Sequence, residues 1–394
     1  MTKRNAILIA VVVGVVIIAG GSFLADQRDG FLAYHSLLNW FRRDGAPTQT
    51  PAAQNPPCSL NPKPREFNRE PYYTGKLYDS HLHLPTISGI VSSVSTNMGL
   101  PTPAWDKNLS TDYLNCLSEA EGVSKIFGFH LLTKYSHAGE VKIAREMEKK
   151  YPGRFVHFLM PTFINSWVDV EVVTVANILR KNPGLFVGLG EVKFIDGRSG
   201  PDDPKAHELY KLAREHKLIV MMHPFNRHKE LVEKILREYP DVKFLFHGID
   251  KTSNGGGPHE EVDNIEWVMK ILRDYDNAYY SLGSQLHFYG FKKEHVGKAV
   301  PSSETLPRVR AEFNDTLDQT FTRWKRRIES IHDKFIGGET DRWHRPHFDA
   351  ELSGLINEFI RSFIGGLDPS VREKFAYENA ERLIRGAGTS LSPN

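Results

Sequence analysis

The stretch Lys76-Leu-Tyr-Asp-Ser-His-Leu-His-Leu84 places Asp79, His81 and His83 at two-residue spacing within an apolar run. Successive side chains of a strand point to opposite faces, so these three are expected on one face, with Tyr78 on the other. Imidazole is the commonest metal ligand in proteins, and two imidazoles on one face can bind one ion. The stretch therefore predicts a first strand that ends in a metal site. A surface His-x-His loop is the alternative.

Seven further apolar runs follow this strand, separated by helical patterns or loops. They cover residues 124–132, 155–161, 185–194, 218–224, 243–249, 278–283 and 334–340. Continuous apolar runs of this length suit strands that are buried on both faces. Apolar stripes in the intervening segments suit helices that cover such strands. The pattern predicts an α/β fold, a (β/α)8 TIM barrel, with a doubly wound open sheet as the alternative.

Composition favours one large domain with appendages and gives no sign of a nucleic-acid partner. The chain has 394 residues, of which 40% are hydrophobic and 25% charged. Lys and Arg total 50 against 48 Asp and Glu. This balance leaves no basic field of the kind that binds nucleic acid.

The N-terminal part of the chain is expected to meet a membrane. Residues 6–25 carry no charge and follow Lys3 and Arg4, and about 20 apolar residues are enough to cross the hydrocarbon core as a helix. A single-pass anchor is the prediction, with a cleaved signal peptide as the alternative. Residues 31–41 have aromatics at helical spacing, which suits either an interfacial or a core-facing helix.

The predicted organisation is an anchor at 1–25, an interfacial helix and proline-rich linker at 26–72, and a catalytic barrel at 73–394. We expect the barrel to lie outside the cytoplasm, in the periplasm. The two cysteines are Cys58, in the linker, and Cys116, in a predicted helix. A single disulfide would fit that location, although the sequence alone leaves their state open.

Residues that can bind metal stand at the ends of five of the eight apolar runs. After His81 and His83 they are, in chain order, Glu191, Lys193, His223, His247 and Asp341. A core histidine bonded to a backbone carbonyl, or a capping aspartate, would explain each one singly. In a barrel, however, all of them meet at the C-terminal mouth, where barrel enzymes carry their chemistry. The joint placement predicts a metal-dependent active site.

This order of residues resembles the amidohydrolase superfamily of metal-dependent hydrolases over about residues 75–386. The C-terminal residues 378–384, Glu-Asn-Ala-Glu-Arg-Leu-Ile, are also similar to the Asn-Ala-x-Arg-Leu helix of the amidohydrolase-related branch, which includes decarboxylases. The resemblance implies one or two divalent ions at the barrel mouth. Histidine and carboxylate ligands suit Zn, Mn, Fe or Ni better than Ca or Mg, and zinc is the first expectation.

The ligand set that the resemblance implies is one ion on His81, His83 and Asp341 and a second on His223 and His247. Glu191 would bridge the two ions, as a glutamate does in TatD-like and lactonase-like relatives. Lys193 has the same strand parity, and a carboxylated lysine bridges in phosphotriesterase-like relatives, so Lys193 is the competing bridge. If Glu191 bridges, Lys193 becomes a charged group that contacts the substrate.

The expected chemistry is attack of a metal-activated water on a small ester, lactone, amide or phosphoester. Asp341 is the predicted catalytic residue, because a carboxylate there can take the proton of the water and pass it to the leaving group. Arg227, Arg345 and the neighbouring Arg342 are candidates for binding a substrate anion, with solvated loop arginines as the alternative. Asp79 is expected to support the site, and His130 to be a core histidine.

Three other functions remain open from the sequence. A decarboxylase of the amidohydrolase-related branch would share most of the ligands and commonly uses one ion. A TatD-type nuclease would need a basic mouth, which the charge balance does not favour. A scaffold protein with a vestigial site would not need to retain all six candidate ligands. The substrate and the oligomeric state cannot be read from the sequence.

Overall fold

Eight parallel strands carry the fold, at the eight places that the sequence predicts. The computed structural model describes residues 60, 62–84, 110–134, 137–161, 169–194, 199–252, 262–283, 302–342 and 345–387. The barrel strands β1 to β8 span Leu77–His83, Val123–Leu132, Phe155–Pro161, Phe186–Lys193, Ile219–His223, Lys243–Phe246, Ala278–Gly283 and Phe335–Glu339. They pair in chain order, as in a (β/α)8 barrel, and not in the reversing order of a doubly wound sheet.

The barrel is nearly closed by a short seam between β8 and β1. Just beyond β8, the Asp341 N–H donates to the carbonyl of His81 at 2.9 Å. Gly338 lies in this seam with a φ of 79°, and a Cβ there would lie 1.9 Å from the carbonyl oxygen of Tyr78. A glycine is therefore required for the two strands to approach each other.

Helices cover the outside of the barrel between the strands. Helices α1 to α7 span Thr111–Ala120, His137–Lys150, Val172–Lys181, Pro204–His216, Lys229–Glu238, Ile265–Asp274 and Ser302–Ser330. After β8 come a 3-10 turn at Arg345–Phe348 and the helices α8 (Ala350–Gly365), α9 (Pro369–Glu373) and α10 (Asn379–Gly386). A short antiparallel pair, Lys251–Thr252 with Val262–Asp263, follows β6.

The C-terminal helices pack against the barrel, with α10 on its interior residues. The Asp368 side chain caps α9 by accepting the Ser370 N–H at 2.9 Å, and Pro369 takes the first helical position. A π-helical turn, Lys374–Glu378, leads into α10. The interior cluster joins α10 to inward-facing strand residues and includes Ala380, Leu383, Ile384, Tyr78, Phe127, Phe158 and Ile336.

Asn379 gives the C-terminal motif a structural role. Its side-chain amide donates to the carbonyls of His332 and Phe335, at 2.6 and 2.7 Å. Phe335 is the first residue of β8, so this amide fixes the start of that strand to the helix beneath it. Buried carbonyls need such partners, because an unsatisfied one costs about 1–3 kcal/mol.

The first strand departs from strict alternation. The register between β1 and β2 shifts between Asp79 and Leu82. Tyr78 belongs to the interior cluster, although His81 also faces the barrel interior. The expectation that Asp79 shares a face with the two histidines, and that Tyr78 lies opposite, is therefore wrong. An irregular register offsets the two-residue period and re-aims the side chains that follow it.

Arg342 is buried in an ion pair and does not face the barrel mouth. Its guanidinium donates to both carboxylate oxygens of Glu121, at 3.0 and 3.1 Å. The Ser353 hydroxyl donates to the same carboxylate. The expectation that Arg342 binds a substrate anion or lies in solvent is wrong, because its charge is paired inside the fold.

The described part of the predicted linker, residues 62–72, packs against the barrel domain. Glu358 on α8 accepts the backbone N–H groups of Glu66, Phe67 and Asn68 at 2.7, 2.9 and 3.0 Å. The ring of Phe67 stacks on Phe313 of α7, with centroids 4.0 Å apart. The segment before β1 is therefore held by α7 and α8.

The predicted anchor at 1–25 and the predicted interfacial helix at 31–41 lie outside the described residues. Among the helices that the structure does describe, none is both long and apolar enough to cross a bilayer.

Candidate metal centre

His81 and His83 lie side by side at the end of β1. Their Nε2 atoms are 3.2 Å apart. His81 is fully buried and its ring packs on Phe129, with centroids 4.5 Å apart. The Phe129 ring, on strand β2, restricts the His81 ring, so both Nε2 atoms face the same small space.

Asp341 joins these histidines from the other side of the barrel seam. Its Oδ1 lies 3.3 Å from Nε2 of His83 and 3.8 Å from Nε2 of His81. Its backbone has a φ of 45°, a left-handed conformation that aspartate tolerates better than most residues. Asp341, His81 and His83 thus place three potential ligand atoms around one point.

Glu191, at the end of β4, connects this group to a second one. Its Oε1 accepts from Nδ1 of His223 at 2.7 Å and from Nε2 of His247 at 2.8 Å. Its Oε2 lies 3.6 Å from Nε2 of His83. A Cβ at Gly248 would come within 2.9 Å of the His223 ring, so the glycine after His247 makes room for that ring.

The charges around Glu191 keep it ionised. Burial raises its pKa, but the charges of Lys193 and His247 and hydrogen bonds from His223 and His247 outweigh burial and hold that pKa well below its usual range. Burial also opposes a charge on His247, yet the Glu339 and Glu191 carboxylates raise the pKa of His247 to about 10. In metal-free protein His247 is therefore a cation, and an ion that binds this imidazole must displace a proton.

The imidazoles of His81 and His223 are neutral. Burial is the main reason that the pKa of His81 lies far below its usual range. Burial, followed by the charge of Lys193, lowers the pKa of His223 to about 4. A neutral imidazole has the free lone pair that a metal ligand needs.

Glu339, the last residue of β8, belongs to the centre although it is not among the residues predicted from the sequence. Its Oε1 accepts from Nδ1 of His247 at 3.0 Å and lies 3.9 Å from Nδ1 of His81. The carboxylate is therefore beneath both rings. Its position two residues before Asp341, at the end of a buried strand, was the signal in the sequence that could have identified it.

Asp79 supports the centre from the seam. Its Oδ1 accepts the N–H groups of His81 and Thr340, each at 3.1 Å, and its Oδ2 accepts the Thr340 hydroxyl at 2.6 Å. Burial, opposed by the charge of Arg342 and by these hydrogen bonds, raises the pKa of Asp79 to about 7. The carboxyl group therefore ties β1 to the end of β8.

The donor set fits a divalent ion. At the strand ends, three groups have all their ligand atoms within 4.8 Å of one another, namely His81 with His83 and Glu191, Glu191 with His223 and His247, and His81 with His247 and Glu339. A fourth such group among the described residues, Asp202 with His207 and Glu238, is more exposed. Among the described residues, Nδ1 of His81 and Oε2 of Glu339 are buried without a hydrogen-bond partner. Imidazole and carboxylate donors at such spacing match the ligands of Zn and similar ions.

The predicted substrate-binding residues occupy different places. Nζ of Lys193 lies 3.7 Å from Oε1 of Glu191, and its side chain is partly exposed at the mouth. Arg227 is exposed in the turn after β5, with its guanidinium 5.0 Å from the centroid of Phe225. The side chain of Arg345 lies outside the described part of the chain.

His130 is a core histidine, as expected. It is fully buried, and its Nε2 lies 2.9 Å from Nδ1 of His157, while its Nδ1 lies 3.4 Å from Glu140 of α2. These partners place His130 under a covering helix, away from the barrel mouth.

Comparison with known proteins gives matches by structure only. No family model matches the chain, and no curated protein matches it. An amidohydrolase from Burkholderia multivorans, solved with bound zinc, matches with a TM-score of 0.49 and 11% identity, over 79% of this chain and 99% of the other.

Two further solved structures match at a similar level. A probable 2-pyrone-4,6-dicarboxylic acid hydrolase from Acinetobacter baumannii, with citric acid bound, has a TM-score of 0.46 and 13% identity over 78% of this chain and 99% of the other. An uncharacterized TIM-barrel protein from Bordetella bronchiseptica has a TM-score of 0.46 and 14% identity, over 79% of this chain and 99% of the other. At identities this low the likeness concerns the fold alone.

Proposed function

We propose that this chain is a metal-dependent hydrolase of the amidohydrolase type, which uses a metal-activated water to cleave a small ester, lactone, amide or phosphoester. One observation carries the proposal. A single carboxylate, Glu191, contacts His223 and His247 through one oxygen, at 2.7 and 2.8 Å, and approaches His83 to 3.6 Å with the other. A carboxylate that reaches two histidine groups at once is suited to bridge two adjacent ions.

The ligand assignment follows from these contacts. The first ion would bind to His81, His83 and Asp341, the second to His223 and His247, and Glu191 would lie between them. Bound ions would supply an activated water and would polarise the carbonyl or phosphoryl group that it attacks. Zinc is our first choice, and Mn, Fe and Ni suit the same ligands.

Asp341 and Lys193 take the remaining roles in this proposal. The Asp341 carboxylate would accept a proton from the attacking water and return it to the leaving group. The ammonium of Lys193, at the rim beside Glu191, orients a negatively polarised oxygen of a small-molecule substrate. Arg227 and Arg345 remain candidates for a second anionic group of the substrate.

Decarboxylation is the competing reaction, since a decarboxylase of the related branch would use the same strand-end ligands. Such decarboxylases commonly use one ion, and Glu191 would then bind no metal. The contacts of Glu191 with both histidine groups favour hydrolysis. Two ions per chain support the hydrolase, and one ion with Glu191 dispensable supports the decarboxylase.

The proposal predicts hydrolysis that depends on the metal and on Glu191. The full chain would be stripped with a chelator, reloaded with Zn, and assayed on aryl esters, lactones and phosphotriesters. We expect activity only after reloading. We expect the Glu191→Gln variant to be at least about 100-fold slower, because about 100-fold is the upper end of the loss seen when a residue that merely supports a metal ligand is replaced. Glu358→Gln, which changes a buried carboxylate away from the site, should keep its activity. Equal activity with and without metal would refute the proposal.

We also propose that residues 1–25 anchor the protein and that the barrel lies outside the cytoplasm. Cys116 on α1 is disulfide-bonded, Cys58 is the only other cysteine of the sequence, and disulfides persist in oxidising compartments. Fractionated cells should contain the full chain in membranes, cleavable by protease added to spheroplasts, with thiols that react only after reduction. Soluble protein with two freely reactive thiols would contradict this location.

A further inference from the structure

The Glu339 carboxylate lies where the two histidine groups of the metal centre meet. His81 and His247 come from strands β1 and β6, and their ring centroids are 4.3 Å apart. Both rings turn their Nδ1 atoms toward Oε1 of Glu339, at 3.9 and 3.0 Å. In the proposed ligand assignment these two histidines bind different ions. One carboxylate thus contacts one ligand of each ion.

The neighbouring residues leave space for a buried carboxylate at position 339. Glu339 is 3% exposed. On the neighbouring strand, Gly283 has no side chain, and a Cβ there would lie 2.8 Å from Oε1 of Glu339. Among the described residues, Nδ1 of His81 has no hydrogen-bond partner, and Oε1 of Glu339 lies 3.9 Å from it. A buried glutamate at this point needs a function that offsets the cost of burying its charge.

We propose that Glu339 is a positioning residue that holds His81 and His247 in the tautomer that binds metal. A neutral imidazole carries one ring proton. If the carboxylate holds that proton on Nδ1 of each ring, the lone pair of each Nε2 is free and faces the centre. The inference rests on the proposed function, because it assumes that both histidines are ligands. It adds that one residue controls the affinity for both ions.

The test compares metal binding by the wild type and by Glu339→Gln, which keeps the shape of the side chain and removes its charge. Ions per chain are measured at saturating Zn by elemental analysis, and affinities by competition with a chromophoric chelator. We expect unchanged stoichiometry at saturation and a loss of about 10- to 100-fold in affinity for both ions, as is usual when a partner of a metal-binding histidine is removed.

Two further variants separate positioning from stability. Glu358 is a glutamate buried to a similar degree, at 4% exposure, and it accepts the backbone N–H groups of residues 66–68. Glu358→Gln should lower the melting temperature and leave the affinity for Zn unchanged. If Glu339→Gln does not fold, Gly283→Ala serves instead, because its added Cβ displaces the carboxylate without removing it. Gly283→Ala should also weaken the binding of Zn.

The outcomes distinguish this inference from the proposed function. A wild type that binds no ion defeats both. A wild type that binds ions, together with a folded Glu339→Gln of equal affinity, defeats only the role of Glu339. Loss of one ion from Glu339→Gln at saturating Zn would also overturn the role, because Glu339 would then be a ligand.

Discussion

Replacing His81 by alanine is expected to abolish metal retention and reduce turnover to the uncatalysed background while leaving the barrel folded. The Nε2 atom of His81 lies 3.2 Å from that of His83 and 3.8 Å from Oδ1 of Asp341, at the centre of the first ligand group. Without it the first ligand group keeps one imidazole, His83, beside the carboxylates of Asp341 and Glu191. We expect the weakened site to lose its ion and, with it, the bridge through Glu191 that would support the second ion. Elemental analysis, circular dichroism and the hydrolase assay measure the three parts of the result.

His130→Ala is the matched control for this variant. Both histidines are fully buried, but His130 contacts His157 and Glu140 under helix α2. Its replacement should lower stability and preserve both metal and activity. Full activity in His81→Ala would show that the metal centre is not where the catalysis occurs.

Replacing Gly338 by alanine is expected to have the largest effect on stability. The new Cβ would lie 1.9 Å from the Tyr78 carbonyl oxygen, and the φ of 79° is itself unfavourable for alanine. Left-handed backbone costs about 1–2 kcal/mol, and a clash with main-chain atoms at the β1–β8 seam cannot be relieved by rotating a side chain. We expect a loss of more than about 4 kcal/mol in the free energy of unfolding, measured with denaturant.

Gly153→Ala isolates the backbone contribution. Gly153 has a φ of 69°, and a Cβ added there would meet no atom within 4 Å, so its variant should lose only the backbone cost of about 1–2 kcal/mol. If both alanine variants are destabilised equally, the close approach of β8 and β1 is not what makes glycine necessary at position 338.

The eight strands could be predicted because burial on both faces leaves a continuous apolar run in the sequence. Phe155–Pro161 and Ala278–Gly283 have the bounds that the sequence predicts, and the other strands differ at their ends by a few residues. The grouping of His223 and His247 with Glu191 was predictable for a related reason. Parallel strands in a barrel end at one mouth, so their last residues meet.

Other features depend on contacts that a local pattern cannot reveal. The two-residue period misplaced Tyr78 because the register shift between Asp79 and Leu82 depends on pairing with β2. Arg342 was a candidate for substrate binding because its partner, Glu121, is 221 residues away in the sequence. The sequence shows that Glu339 stands at a strand end, but not that His81 and His247 lie beside its carboxylate, which depends on strands far apart in the chain.

The number of divalent ions bound per chain tests the central claim most directly. The full chain would be purified without chelators and analysed by elemental analysis, with Zn added back in a parallel sample. We predict two ions per chain in the wild type, because Glu191 bridges both ligand groups. We predict that His81→Ala retains no ion after dialysis. A folded wild type that binds no ion, even after Zn is added, would contradict the conclusion that these strand-end residues form a metal centre.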